Sequence, residues 1–353
     1  MTSSSRPTTP SPEQPNSLAA ERFKETGDPI EWSESYRPGG FHPIHIGDTL
    51  NRGQYRIIRK LGYNSYSTAW LAADVASQTG RRYVAVKVMK AKRSTAAIVN
   101  RELDICSTLA RDKDGNTGSE HVLRLLDWFE EQGPNGTHTC LVCEPMGGTV
   151  ASIHEYLSHG CDASWFRYPK WIAKRILRHT LLGLGYLHCH GVVHGDLQPG
   201  NLLFSMSGLG TEDEGKLRQE VRDIERKYGK TDLWAPRYLA LCHPLNEYAD
   251  VGQEANIKIS DLGAASFTSK SPDKIVRPVA LRAPEIILKQ PVDEKIDIWS
   301  FGCLIYELIT GTQLFGVCLM GDDKEEDADD DHLLEFHDII GQLPDNIMAF
   351  LYL

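Results

Sequence analysis

Apolar and polar residues alternate along the chain from Tyr55 to Met89, which is the pattern of strands with one buried face. Beyond Met146 the apolar spacing changes to the period of helices. The predicted strands lie at 55–61, 69–73, 82–89, 122–129 and 139–144. The predicted helices lie at 95–109, 150–159, 169–188 and 293–310. We therefore expect antiparallel strands first and a larger helical part after them.

The segments around these elements indicate the domain organisation. Residues 1–30 are rich in Ser, Thr and Pro and poor in large apolar residues, so a disordered tail is predicted there. A lead-in at 31–54 precedes the main domain. We place a first lobe at 55–145 and a second lobe at 146–353.

An insert at 205–255 interrupts the helical part. Between Glu212 and Lys230 it carries apolar residues at spacings of three and four, surrounded by charges, which predicts an amphipathic helix. These residues are Leu217, Val221, Ile224 and Tyr228. A docking or localisation role and a surface decoration that packs onto the lobe beneath both stay open for the insert.

Composition narrows the class of protein. The 353 residues carry 38 Lys+Arg and 48 Asp+Glu, and the formal charge of −10 argues against a general nucleic-acid binder and favours a basic partner. Eight scattered cysteines indicate a reduced, intracellular compartment. Cys140 and Cys143 lie in an apolar strand that would send their thiols to opposite faces, which disfavours zinc. Without a signal peptide or membrane span, the expected location is the cytoplasm and nucleus.

The first motif with candidate chemistry is the turn between the first two predicted strands. In a phosphate-binding turn, glycines let backbone N–H groups approach the phosphates without a Cβ in the way. Gly62 and Ser67 hold the first and third positions of such a G-x-G-x-x-G/S-x-V pattern, between Leu61 and Ala69. Asn64 replaces the second glycine. Alone, this turn is more typical of a plain hairpin.

The second motif is the strand run V-A-V-K that ends at Lys87. It is close to the V-A-I-K strand whose lysine contacts the α- and β-phosphates of ATP. Glu102 follows 15 residues later in the predicted helix and can pair with this lysine. A lysine exposed on a strand is usually solvated. The glutamate at a suitable distance is therefore the feature that favours a functional role for Lys87.

The third motif, H-G-D-L-Q-P-G-N, follows the predicted helix at 169–188. An aspartate five residues before an asparagine, as in Asp196 and Asn201, can face a substrate hydroxyl while the asparagine holds Mg²⁺.

The fourth motif, K-I-S-D-L-G, places Asp261 at the end of a short strand, where it can hold the Mg²⁺ that bridges the phosphates. For the histidines at 188, 190 and 194, structural roles are favoured over a metal-binding cluster.

These motifs are followed by A-P-E at 283–285 and D-I-W-S-F-G at 297–302. In this order and spacing they resemble the eukaryotic protein kinase family, from Tyr55 onward. The implied fold is α+β and bilobal. A small lobe with an antiparallel sheet and one helix is followed by a larger, mainly helical lobe.

A narrower resemblance lies outside the catalytic motifs. The lead-in at 34–48, the run S-T-A-W at 67–70, the D-L-G form and the run D-H-L-L at 331–334 look like the SR-protein kinases, most of all their divergent fungal branch. The implied activity is that of a non-specific serine/threonine protein kinase. It would transfer the γ-phosphate of ATP, with Mg²⁺, to serines of basic Arg/Ser-rich proteins. We do not expect direct binding to nucleic acid or to membranes. We expect a monomer.

The resemblance also implies roles for individual residues. Asp196 would accept the proton of the serine hydroxyl, and Lys87 and Glu102 would form an ion pair. The implied ATP-binding residues are Leu61, Gly62, Ser67, Ala69, Lys87, Glu144 and Met146. The implied Mg²⁺ ligands are Asn201 and Asp261.

The chain departs from the family pattern at three points. Gly195 replaces the arginine of H-R-D, so regulation through a phosphorylated activation loop is not expected. Gln198 replaces the lysine that neutralises the γ-phosphate, which would cost about 2–4 kcal/mol of transition-state stabilisation. The chain also ends at Leu353, before the last helices of the family, so a shortened domain is expected.

Two further functions stay open. A pseudokinase that binds nucleotide or a partner without efficient turnover is favoured by Gln198, Asn64 and the short C-terminal part. A small-molecule phosphotransferase of the aminoglycoside or choline kinase type shares the H-G-D-L-x-P-G-N loop but lacks the A-P-E and D-I-W-S-F-G elements.

The negative charge is concentrated at 322–331, where eight acidic residues accompany one lysine. A solvated, disordered loop is one interpretation, because runs of like charge repel one another. The other is a docking surface for arginine-rich substrate, since the SR-protein kinases build an acidic groove next to the helix that follows.

Overall fold

A computed structural model of the chain describes residues 30–77, 82–112, 117–158, 167–220, 233–269, 278–317 and 325–342. The chain groups into two compact units. Unit 1 comprises Met1–Arg111, Leu123–Gly147 and Met206–Ala249, and unit 2 comprises Asp112–Val122, Gly148–Ser205 and Asp250–Leu353. No helix in the described ranges is long and apolar enough to cross a membrane.

Unit 1 contains an antiparallel sheet with the strand order β1-β2-β3-β4-β6-β5. The strands are β1 (Thr49–Leu50), β2 (Tyr55–Tyr63), β3 (Ser67–Asp74), β4 (Tyr83–Met89), β5 (Leu125–Gly133) and β6 (Gly136–Cys143). Helix α1 (Lys92–Arg111) follows β4. The predicted alternation is therefore confirmed. The strand predicted at 122–129 begins only at Leu125, because Val122 instead forms an isolated parallel bridge with Ile259 in unit 2.

Alternation along β4 builds the core of this sheet. Val84, Val86 and Val88 are all at most 3% exposed and pack in one cluster with Trp70. Cys140 belongs to the same cluster, and burial raises the pKa of its thiol. Cys140 is thus a residue of the core. Among the described residues, no group of three or more His, Cys, Asp and Glu side chains could hold a metal ion.

The lead-in is tied to the sheet by a buried ion pair. The ammonium of Lys60 on β2 bonds the carboxylate of Glu31, and both side chains are at most 1% exposed. Tyr36 donates its hydroxyl hydrogen to the same carboxylate, and the Lys60 ammonium also donates to the carbonyl of Ala240. Two segments distant in sequence, the lead-in and the insert, therefore meet at one lysine.

The insert also completes an edge of β2. A register shift between Ile57 and Arg59 interrupts the pairing of β2 with β3. The carbonyls of Ile58 and Lys60 accept hydrogen bonds from the backbone N–H groups of Gln219 and His243, at 3.1 and 2.8 Å. The side chain of Gln219 accepts from the Lys60 N–H at 2.9 Å. Residues 206–220 and 233–249 of the insert thus belong to unit 1, and Gln219 and His243 bond its sheet.

The amphipathic helix predicted between Glu212 and Lys230 is wrong for its first part. Helix α4 (Glu214–Leu217) ends after four residues, and Arg218 is extended. The reason is that Arg59 donates to the carbonyl of Leu217 at 2.8 Å and the following residues bond β2 instead of continuing the helix. Residues 221–230 of the prediction lie outside the described ranges.

Unit 2 is mainly helical, as expected. Its helices are α2 (Val150–Ser158), α3 (Lys170–Cys189), α5 (Pro284–Ile287), α6 (Lys295–Thr310) and α7 (Glu325–Ile340). Its short strands are β7 (Val192–Val193), β8 (Leu202–Phe204), β9 (Ile257–Ile259) and β10 (Ser266–Phe267). Strand β8 pairs with β9 and β7 pairs with β10, both antiparallel, which fixes the segments between them.

Helix α7 corrects one interpretation of the acidic run. From Glu325 onward the run is helical, so this part is not a disordered loop. Asp329 forms an ion pair with Arg282 at 2.7 Å, with both side chains mostly buried. Asp330 and Asp331 are exposed. Of the three acidic residues of the run whose side chains the structure describes, one is a structural carboxylate and two face water.

Candidate active site

The turn between β2 and β3 is held by the side chain of Asn64. Its amide oxygen accepts hydrogen bonds from the backbone N–H groups of Tyr66 and Ser67, at 2.9 and 2.7 Å, and from the Ser67 hydroxyl at 2.9 Å. These are donors that a phosphate-binding turn would present to its ligand. Asn64 therefore organises the turn by occupying groups that a second glycine would have left available.

The space beside the backbone at Gly62 is open, so a ligand can approach the backbone closely there. A Cβ added there would meet no atom within 4 Å. Gly62 pairs with Ala69, which in turn pairs with Lys87 on β4. Leu61 is half-buried next to Gly62. The strand register thus brings together the predicted residues Leu61, Gly62, Ala69 and Lys87.

Lys87 and Glu102 form the predicted pair. The Lys87 ammonium lies 2.5 Å from Oε1 of Glu102, which is 2% exposed on α1. The lysine side chain remains 18% exposed. A buried carboxylate thus holds a partly accessible cation in a fixed position.

The segment after β6 carries the residues implied to bind adenine. Glu144 and Met146 follow directly on Cys143, the last residue of β6. The Glu144 carboxylate accepts from the backbone N–H of Arg124 at 3.4 Å. Met146 is buried, and its backbone N–H has no hydrogen-bond partner among the described residues. A purine acceptor would satisfy that donor.

In unit 2, a buried aspartate fixes the H-G-D loop. Asp297 on α6 is fully buried and accepts from the backbone N–H groups of His194 and Gly195, at 2.7 and 2.9 Å. It also bonds the ring of His188 at 3.0 Å. His194 bridges the Asp196 N–H and the Ser260 carbonyl through its two ring nitrogens. The histidines therefore have structural roles, as interpreted from the sequence.

The carboxylate of Asp196 is surrounded by amide donors. Gln198 donates to both of its oxygens at 3.0 Å, and Asn201 donates to one at 2.9 Å and to the Asp196 carbonyl at 2.7 Å. Burial raises the pKa of Asp196, and the nearby Asp261 carboxylate adds to this, while His194 and the amide donors oppose it. A raised pKa moves a carboxylate toward the range useful for accepting a proton.

Asp261 begins the D-L-G segment in a left-handed conformation, with φ of 60° and ψ of 72°. Left-handed backbone is uncommon outside glycine, asparagine and aspartate and costs about 1–3 kcal/mol. Strain of this kind clusters at functional sites. Asp196, Asn201 and Asp261 thus lie together in unit 2, while the other predicted site residues lie in unit 1.

Gly195 has a role that sequence reasoning missed. Its φ is +79°, and a Cβ would approach the carbonyl oxygen of Ala264 to 2.8 Å. A side chain at this position would be strained and would have to displace the carbonyl of Ala264, so the backbone favours glycine. The sequence showed the absence of an arginine, but the preference for glycine follows from the conformation of the loop.

Comparisons with known proteins identify the family of the chain. The protein kinase domain family matches residues 55–342. The chain is similar to the serine/threonine-protein kinase SRPK of Physarum polycephalum, at 30% identity over 331 residues, covering 89% of the chain and 73% of the relative. It is also similar to protein kinase dsk1 of Schizosaccharomyces pombe (26% identity, 89% and 71%) and to human SRSF protein kinase 3 (32% identity, 55% and 32%).

A solved kinase domain supports the fold. The crystal structure of the PF14_0431 kinase domain matches with a TM-score of 0.62 at 24% identity, covering 87% of this chain and 76% of the other. The α+β architecture with an antiparallel sheet and a helical part is thus that of a protein kinase. The chain belongs to the protein kinase family, within the group of the SR-protein kinases. Both resemblances noted in the sequence are confirmed.

Proposed function

We propose that this serine/threonine protein kinase transfers the γ-phosphate of ATP, in the presence of Mg²⁺, to serines of Arg/Ser-rich proteins. The observation that carries the proposal is the Asp196 carboxylate, which is fixed through Asn201 and lies on a loop anchored by the buried Asp297. A fixed carboxylate of raised pKa is suited to accept the proton of a serine hydroxyl.

The residues present fit a magnesium ion. Asn201 uses both hydrogens of its amide on Asp196, so its amide oxygen is the atom left for a ligand. Asp261 supplies a carboxylate close enough to raise the pKa of Asp196. Oxygen ligands of this kind suit Mg²⁺, which would neutralise charge on the phosphates during transfer.

The residues of unit 1 suit the nucleotide. Lys87, held by Glu102, would bind phosphate oxygens, and the turn from Gly62 to Ser67 would cover them. The N–H of Met146 and a carbonyl of Glu144 would bind adenine, and Leu61 and Ala69 would contact its ring. The Asn64 side chain must move before the N–H groups of Tyr66 and Ser67 can bind phosphate.

Basic substrates are supported by charge. The chain carries −10 overall, and Asp330 and Asp331 are exposed on α7. Such carboxylates attract arginine-rich segments over distances of about 8 Å at physiological salt. We also propose a monomer of the cytoplasm and nucleus, in keeping with the free cysteines among the described residues.

Radiolabelled ATP and an Arg/Ser-repeat peptide test the proposal. Asp196→Asn should abolish transfer while nucleotide affinity stays within about twofold, because the carboxylate acts on the acceptor hydroxyl. Glu254→Gln, which removes an exposed carboxylate of unit 2 outside α7, is the matched control and should transfer like the wild type. Equal activity of wild type and Asp196→Asn would disprove the assignment.

A pseudokinase is the second candidate function. It is favoured by Gln198, whose amide group donates both of its hydrogens to Asp196. It is also favoured by Asn64, whose side chain accepts from the N–H of Ser67 in the turn. The same assay separates the two functions. ATP binding without phosphate transfer to any peptide or protein substrate would support the pseudokinase.

A further inference from the structure

The exposed side of helix α3 in unit 2 differs from the surface of an ordinary helix. Its other side packs into unit 2 through buried apolar residues, which include Ile172, Ile176, Leu184 and Leu187. Trp171 and Leu181 are not among them, because 47% and 50% of their surfaces are exposed. Single exposed apolar side chains need no explanation, whereas several on one face indicate an interaction surface.

Two cations lie between these apolar residues. Lys174 and Arg178 are exposed, and the spacings from Trp171 through them to Leu181 are three, four and three residues. Because an α-helix has about 3.6 residues per turn, all four side chains lie within about 80° around the helix axis. We call these four residues the α3 face. Neither cation forms an ion pair with another described residue.

The charges next to the α3 face are also mainly positive. Arg167 and Lys170 are exposed at the start of the helix and form no ion pair within the described ranges. Arg175 is half-buried and donates to the carbonyl of Ala255, so its role is structural. Glu254, which adjoins Ala255, is exposed and pairs with none of these cations. The surface is therefore locally positive, although the chain as a whole carries −10.

A helix of opposite charge fits this pattern. The α3 face is about 15 Å long, because its ends are ten residues apart at a rise of about 1.5 Å per residue. A partner helix presents side chains at the same spacings of three and four, so its apolar residues can meet Trp171 and Leu181 while its carboxylates meet the cations. A single nucleic-acid strand could bind the cations and stack a base on Trp171, but it offers nothing aliphatic for Leu181.

We propose that the α3 face docks an acidic amphipathic helix of another protein. The Trp171 ring would become buried and contribute most to affinity, as tryptophan does at the centre of interfaces. The Arg178 guanidinium can donate two parallel hydrogen bonds to one carboxylate of the partner, and Lys174 adds a second charge contact. This surface is additional to the proposed phosphate transfer, and its binding is measured without ATP.

Selection from a peptide library tests the proposal without knowledge of the natural partner. A phage-displayed library of helical peptides of about 18 residues, randomised on one face, is selected on the wild type. We expect the selected peptides to carry Asp or Glu between large apolar residues at spacings of three and four. Fluorescence anisotropy of one labelled peptide then measures Kd at low and at high salt. The same peptide with Gln and Asn in place of its acidic residues should bind less tightly.

Variants of the α3 face should weaken this binding. Lys174→Gln with Arg178→Gln should raise Kd about three- to thirtyfold at low salt and less at high salt, because exposed charges are screened. Trp171→Ala should raise Kd about tenfold or more. All these side chains are exposed, so the variants should keep the melting temperature of the wild type.

The matched control removes two exposed cations of unit 2 from another place. Lys289→Gln with Lys295→Gln changes the net charge by the same amount and should leave Kd unchanged. If the selection yields no acidic helix, or if its peptides bind the wild type and the variant Lys174→Gln with Arg178→Gln equally, the inference is wrong.

Two other occupants would also overturn it. Labelled oligouridine that binds the wild type but not the variant Lys174→Gln with Arg178→Gln, in the absence of any selected acidic helix, would identify a nucleic-acid surface. Sedimentation that shows dimers of the wild type but not of Trp171→Ala would identify a second copy of the chain as the occupant.

Discussion

The amide of Gln198 donates hydrogen bonds to both carboxylate oxygens of Asp196, at 3.0 Å each. In the family pattern this position carries a lysine that acts on the phosphate. Here the side chain acts on the proposed base instead. The substitution therefore removes a positive charge and adds two contacts that hold Asp196 in place.

These two effects are separable by mutation. Gln198→Lys should raise kcat about 10²-fold, because a cation near the transferred phosphoryl group stabilises the transition state by about 2–4 kcal/mol. Gln198→Leu, which has no donor, should lower kcat because Asp196 loses two contacts. Steady-state kinetics at saturating ATP measure both. A loss of kcat in Gln198→Lys would mean that the contacts with Asp196 matter more than the missing charge.

Asn64→Gly should lower KM for ATP by about three- to tenfold. It releases the N–H groups of Tyr66 and Ser67, and hydrogen bonds to a charged phosphate are worth more than the cost of a flexible glycine. Asn64→Asp is the control, since it keeps the acceptor and adds a negative charge, and it should raise KM. An unchanged KM in Asn64→Gly would show that these N–H groups do not meet the phosphates.

Breaking the buried ion pair of the lead-in should destabilise the protein. Glu31→Met leaves the Lys60 ammonium buried and unpaired, and we expect a loss of about 3–5 kcal/mol in the free energy of unfolding. The double variant with Lys60→Met should recover a large part of this, because no buried charge remains. Denaturant unfolding of the wild type, Glu31→Met, Lys60→Met and the double variant measures it, and strictly additive losses would contradict the prediction.

His332→Phe should stabilise the protein, most strongly at acidic pH. His332 packs against Phe315 and Phe336, and neither ring nitrogen has a hydrogen-bond partner in the part of the chain that the structure describes. Burial lowers the pKa of His332 to about 4, with a contribution from Arg282. The imidazole of His332 takes up a proton below pH 6.5 in the unfolded chain, but only below about pH 4 in the folded chain. The free energy of unfolding therefore decreases as the pH is lowered from 6.5 to about 4.

Urea unfolding of the His332→Phe variant and the wild type at pH 7.5 and pH 5 checks this. The variant should gain about 1–3 kcal/mol at pH 7.5 from removal of unsatisfied polar atoms, and more at pH 5. Other histidines titrate in both proteins and cancel in the difference. A gain that does not grow at pH 5 would show that His332 keeps its normal pKa.

Substrate affinity should depend on the exposed end of the acidic run. Asp330→Asn with Asp331→Asn should raise KM for an Arg/Ser-repeat peptide at low salt and have less effect at high salt, because exposed charges are screened. Asp250→Asn with Glu254→Gln removes two carboxylates elsewhere in unit 2 and is the control. KM for ATP should not change in either. Asp329→Asn should instead lower stability, because Arg282 loses its partner.

The elements and motifs were predictable where local rules decide. Alternation along 82–89 predicted β4, and the spacing of Lys87 and Glu102 predicted an ion pair that the structure contains. Both depend on a few neighbouring residues and on one helix that follows one strand. Order along the chain was also sufficient for the H-G-D loop, since the five-residue spacing of Asp196 and Asn201 brings them into contact.

What the sequence could not predict depends on contacts between distant segments. The helix predicted at 212–230 does not continue to Gln219, because the N–H of Gln219 bonds the carbonyl of Ile58 next to a register shift in β2. The pairing of Asp329 with Arg282 turns part of an apparently solvated run into a structural element. Asn64 and Gly195 were recognised only as departures, because the hydrogen bonds and the φ angle that give them meaning require the folded backbone.

The contacts of the insert with β2 also have a consequence for solubility. Without Gln219 and His243, the carbonyls of Ile58 and Lys60 would form an open strand edge next to the apolar core of the sheet. Open edges of this kind pair with the edges of other molecules and begin aggregation. By occupying this edge, the insert protects the chain against self-association. A variant that lacks the insert should therefore aggregate, although its proposed catalytic residues are unchanged.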